Sequence, residues 1–113
     1  MVLHVVVVSL LLLGLWARDA SANPAHDRLQ QISLQERSMF FTKYLQGSGE
    51  MCDAVKRIFF QGLTKSGDAF WNVACRNGKA FSILIYNDAQ GSSKIMDCPM
   101  LKAVNAGECF EKF

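Results

Sequence analysis

The pattern of apolar positions is most strand-like between Asp68 and Tyr86. Ala69-Phe70-Trp71-Asn72-Val73-Ala74-Cys75 and Ala80-Phe81-Ser82-Ile83-Leu84-Ile85-Tyr86 flank Arg76-Asn77-Gly78-Lys79. Asn-Gly between two runs rich in aromatic and β-branched residues predicts a β-hairpin with a two-residue type I′ turn, in which both central residues take positive φ. That register pairs Cys75 with Ala80, Val73 with Ser82 and Trp71 with Leu84. One face then carries Trp71, Val73, Cys75, Leu84 and Tyr86, and the other Phe70, Ala74, Phe81, Ile83 and Ile85. Both faces are apolar, so either both are covered by helices or one of them binds a partner.

Around the hairpin the pattern is helical. Arg28 to Gln46 holds no Pro or Gly. Leu34, Phe41 and Leu45 fall on one stripe, which Leu29, Ile32, Met39, Phe40 and Tyr44 broaden, so this helix has contacts on two sides. Asp27 is placed to cap it, and Asn23–Asp27 reads as a disordered lead-in. Gly47-Ser48-Gly49 stops the helix and is a candidate hinge. A second helix is predicted over Glu50–Gln61, its inner face made by Cys52, Val55, Ile58 and Phe59. Ser93–Cys98 reads as a third strand, ended by Pro99, which suits the first turn of a short helix over Met100–Asn105. The expected fold is α+β: a three-stranded antiparallel sheet with a central Asn-Gly hairpin, packed by two or three helices.

The N-terminal segment has a different character. Val5–Leu15 is apolar apart from one Ser and one Gly, and Ala20-Ser21-Ala22 supplies the small-x-small pattern of a peptidase site. As a helix this run would rise about 16 Å, too short to span a hydrocarbon core of about 30 Å. Residues 1–22 are therefore read as a secretory signal peptide, followed by an N-terminal helix and hinge over 23–48 and an α+β domain over 49–113. The chain has four cysteines, Cys52, Cys75, Cys98 and Cys109. An even number in a short exported chain points to two disulfides rather than to zinc, for which no C-x-x-C pair is present. The second helix and the first strand run antiparallel across a short connector, and Cys98 and Cys109 flank the last helix. Of the three connectivities this favours 52–75 with 98–109.

Net charge is +2, too mild for a nucleic-acid footprint or for an acidic membrane surface. No phosphate loop, dinucleotide fingerprint or H-E-x-x-H pattern occurs, and no cofactor or metal is expected. Nucleophilic catalysis needs a positioned base, most often His. Past the leader the sole His is His26, in the lead-in. Paired carboxylates could in principle hydrolyse glycosides, but so short a chain leaves little room for a cleft. Arg76 and Lys79 sit together at the hairpin tip, either as a solvated turn or as a contact for an anionic surface.

Phe59-Phe60-Gln61-Gly62, the W-N-V-x-C-x-N-G-K segment from Trp71 to Lys79, Asp97-Cys98 and the Cys109–Phe113 ending resemble small exported proteins of alphaproteobacteria that have no assigned activity. The resemblance covers about Cys52 to Phe113, carries over no catalytic residue and implies a periplasmic or secreted location. The expected role is a non-catalytic interaction module. Its partner would be a protein or a second copy, bound by the Phe70/Phe81/Ile83/Ile85 face with the N-terminal helix. The alternative is an inhibitor of a cell-wall or proteolytic enzyme, acting through Arg76 and Lys79.

Overall fold

The computed structural model describes residues 23–113, so the leader expected over 1–22 lies outside the described residues. Two helices come first, α1 (Pro24–Gln31) and α2 (Leu34–Gly47). Four strands follow, β1 (Val55–Leu63), β2 (Ala69–Cys75), β3 (Ala80–Ile85) and β4 (Ser93–Asp97), and then a short helix α3 (Cys98–Ala103). The strands form one antiparallel meander in the order β1-β2-β3-β4. The sheet therefore has four strands where the sequence pattern suggests three.

The added strand is β1, in the place of the helix expected over Glu50–Gln61. Val55, Ile58, Phe59 and Phe60 are β-branched or aromatic and favour a pleated, half-buried surface. Register shifts between Val55 and Arg57 and between Phe60 and Gly62 each insert an extra residue. Bulges of this kind break the period-2 alternation, so the segment does not read as a strand.

The hairpin is present with a longer turn. Val73 pairs with Phe81, Trp71 with Ile83 and Ala69 with Ile85. The Cys75 N–H donates to Lys79 O at 2.8 Å, and the Gly78 N–H to Cys75 O at 3.0 Å. Arg76, Asn77 and Gly78 thus make a three-residue connection, with Gly78 at φ +91° and Asn77 outside the positive-φ region. This is a type I turn closed by a glycine bulge rather than a type I′ turn. One extra loop residue moves the return strand to the opposite face. Phe81, Ile83 and Ile85 therefore lie beside Trp71 and Val73, while Leu84 lies beside Phe70.

The face bearing Trp71 holds the core. Leu29 of α1 and Phe41 and Leu45 of α2 pack with Val55, Trp71, Val73, Phe81, Ile83 and Ile85. The N-terminal region is two helices broken at Ile32-Ser33, where one was expected from Arg28 to Gln46. Ser33 and Glu36 form a reciprocal capping box that starts α2. Arg37 then reaches back: its guanidinium donates to Leu29 O at 2.8 Å and to Ile32 O at 3.2 Å, filling carbonyls left open at the end of α1. The expected lead-in is ordered. The Asn23 side chain caps α1 by accepting from the His26 N–H, and its amide donates to Ile85 O at 2.9 Å and to Gly67 O at 3.1 Å.

The opposite face is covered by the chain's own last residues. The Phe110 N–H donates to Asn72 Oδ1 at 2.7 Å, and Gln61 Nε2 donates to Glu108 O and Glu111 O. Asn72 also donates to Ser82 Oγ at 3.1 Å and to Gln61 Oε1 at 3.4 Å, so the three buried polar side chains on this face are linked, and Asn72 and Gln61 hold the tail. Phe113 meets Phe70 edge-on at 5.3 Å, and a Cβ on Gly62 would stand 2.7 Å from the Phe113 ring. Glycine at that bulge makes room for the tail.

Replacing Asn72 with Ala removes the acceptor for a backbone N–H in this partly buried strap. The expected loss is about 1–3 kcal/mol in denaturant titration. Amides 110–113 should exchange faster while those of α2 keep their protection. Unchanged exchange in the tail would show that Asn72 does not hold it.

Both disulfides pair as the spacing favours, Cys52–Cys75 and Cys98–Cys109. Cys52 lies in the loop before β1 rather than in a helix. Antiparallel pairing of β1 with β2, which sets Val55 opposite Cys75, brings the two cysteines together.

Candidate functional site

The residues expected to bind a partner are dispersed. Phe81, Ile83 and Ile85 are buried under the helices, at 2%, 1% and 4% exposure. Phe70 is half-buried on the far face against Phe113. The four do not form a shared surface, because the longer turn places three of them on the core side. Arg76 and Lys79 are exposed at the hairpin tip. That tip is braced: the Asn77 N–H donates to Asp53 Oδ1 at 3.0 Å, and Asn77 Nδ2 donates to Met51 O at 2.7 Å. Asp53 has its carboxyl held below the usual range, through its hydrogen bonds from the Ala54 and Asn77 backbone, which outweigh the opposing effect of desolvation.

One concavity lies where α1 and α2 meet the β3–β4 end of the sheet. It holds about 300 Å³, at the small end for a ligand site. Ile83 and Ile85 form its floor, Leu29 of α1 and Ile32 just past its end one wall, and Phe40 and Tyr44 of α2 another. Phe40 and Tyr44 stack with nearly parallel rings, 4° apart. The polar lining groups are Arg28, the Tyr44 hydroxyl and Ser93, and the last two are hydrogen-bonded to each other. No Asp or Glu lines it. Of the four sheet residues expected to bind, only Ile83 and Ile85 line it, together with residues of the expected N-terminal helix, Arg28, Leu29, Ile32, Phe40 and Tyr44. The signal for the others is the width of the apolar stripe on Arg28–Gln46, which exceeds what one packed face uses.

Beneath the pocket wall, His26 anchors α1. Its Nδ1 accepts a hydrogen bond from Trp71 Nε1 at 3.0 Å, and its ring packs 4.7 Å from Phe60. Burial lowers its pKa below the ordinary 6.5, against a smaller opposite pull from Asp27. The neutral ring is the form that can accept from Trp71. Above pH 6.5 both folded and unfolded chains carry a neutral His26. As pH falls below 6.5 the unfolded chain takes up a proton that the folded one resists, so stability drops until the folded pKa is passed. Denaturation midpoints should fall from pH 7.5 to pH 5. In His26→Gln the fall should be smaller; an equal fall in both proteins would assign it to other groups.

Among the described residues no group of three His, Cys, Asp or Glu side chains is placed to hold a metal. No described helix is long and apolar enough to cross a membrane. No family model, no curated protein and no solved structure matches the chain.

Proposed function

We propose that the protein is a small exported, non-catalytic binding module whose site is the pocket between α1, α2 and the β3–β4 end. The pocket carries this reading: an apolar concavity with three polar groups at its lining, built on a disulfide-closed scaffold. Export is supported by the apolar run before Ala20-Ser21-Ala22 and by the two disulfides, which persist in oxidising compartments. The non-catalytic role is supported by His26, whose Nδ1 is already occupied by Trp71. Titrating the purified protein with small apolar fragments should shift the amide and methyl signals of Ala25, Ile32, Tyr44 and Ile83. Shifts confined to residues outside the pocket would overturn the reading.

A second reading, inhibition of a cell-wall or proteolytic enzyme through the hairpin tip, is favoured by the bracing of Asn77 by Asp53 and Met51 directly beside the Cys52–Cys75 bridge. A tip held in one conformation loses little entropy on entering a cleft. Replacing both Arg76 and Lys79 with Ala should then abolish inhibition without lowering the melting temperature. Proteases and muramidases unaffected by the intact protein would eliminate this reading.

A further inference from the structure

The pocket assigned above is apolar on its floor and walls and cationic at its rim, and that combination selects a class of ligand. Ile83, Ile85, Leu29, Ile32 and Phe40 offer a hydrocarbon lining with no carboxylate among them. Arg28 stands at the lining and is exposed. It makes no ion pair with any carboxylate of the described residues. A basic residue in the last turn of a helix ordinarily serves the open carbonyls there. In α1 that work is done by Arg37, which donates to the carbonyls of Leu29, Gln30 and Ile32. Arg28 is thereby left as a planar, always-charged donor beside an apolar cavity, suited to paired hydrogen bonds with a carboxylate.

Resting on the pocket reading, we propose that the ligand is a small amphipathic carboxylate, its apolar body between α1, α2 and Ile83/Ile85 and its headgroup on Arg28. The volume of about 300 Å³ corresponds to the space of about ten water molecules, which suits a short acyl or aromatic body rather than a long lipid chain. The hydrogen-bonded Tyr44 and Ser93 hydroxyls give the rim further polar groups for the headgroup.

The test uses three probes with one tail: octanoate, 1-octanol and octyltrimethylammonium, titrated against the whole protein by chemical-shift mapping. Octanoate is expected to bind about tenfold or more tightly than octanol, with the cation weakest. Arg28→Gln, an exposed change that leaves the fold intact, should bring octanoate down to the affinity of octanol. Ala25→Leu, which narrows the pocket, should weaken all three; its melting temperature and that of Arg28→Gln check folding. Octanol and octanoate binding alike, or octanoate unaffected by Arg28→Gln, would overturn the ligand class while leaving the pocket as a binding site. Octanoate shifting signals at Arg76, Lys79 or Lys112 instead would also overturn it. No pocket shifts with any of the three would remove both the ligand class and the pocket reading.

Discussion

Trp71→Ala should remove about 3–5 kcal/mol of the protein's stability and lower its urea midpoint sharply. Trp71 is 2% exposed at the centre of the sheet's inner face. Phe41 lies 5.9 Å from its ring and Phe60 5.1 Å, and the Arg37 guanidinium sits 5.2 Å above it. Deleting a buried aromatic of this kind costs about 3–5 kcal/mol, against a total of about 5–15 kcal/mol for most domains. The loss also takes the donor from His26 and the platform from Arg37, so α1 is loosened along with the core. Trp71→Phe is the informative companion. It keeps a ring but removes the N–H, and the hydrogen bond contributes about 1 kcal/mol. Without that donor the neutral form of His26 loses support, so the decline of stability below pH 6.5 should shrink. Urea titration of both variants at pH 7.5 and pH 5 checks this; a Trp71→Phe protein with an unchanged pH slope would show that burial alone sets the behaviour of His26.

Removing the Cys52–Cys75 bridge, with both residues changed to Ser, should lower stability by about 3 kcal/mol, as expected for a loop of this length. The bridge spans 23 residues, and the cysteines are 3% and 0% exposed, so the two hydroxyls would also be buried in apolar surroundings. The Cys98–Cys109 bridge spans 11 residues and anchors the tail segment, and its loss should show chiefly as faster exchange of amides 108–113. Equal effects of the two removals on α2 and on the tail would argue against that division. Melting curves and exchange on the two double variants decide it.

The α+β class, the hairpin and both bridges are legible in the sequence because each rests on short-range or pairwise signals. The Cys52–Cys75 pairing is insensitive to a wrong element type: an antiparallel helix and an antiparallel strand both return the chain to Cys75. Sidedness was not legible. Asn-Gly fits two turn types, and the chosen length decides whether Phe81, Ile83 and Ile85 lie in the core or opposite it. β1 was hidden by its bulges, which disrupt the alternation by which strands are recognised. His26 and Asn23 were hidden for another reason. A polar residue that anchors a helix by tertiary hydrogen bonds has the same local sequence as one in a disordered lead-in. The pocket shares this limit, since Arg28, Tyr44 and Ser93 meet only through the packing of three elements.

The burial of Asn23 would impose an order of events on any cleavage at the Ala22–Asn23 bond. A peptidase that cuts between Ala22 and Asn23 must take the chain on both sides of that bond in extended form. In the folded protein Asn23 is 5% exposed, its amide tied to Ile85 and Gly67. If the chain is cut there, the cut has to precede the docking of α1, and a chain whose first helix settles early would keep its leader. The speed of that docking, as much as the cleavage motif, would then govern the yield of trimmed protein.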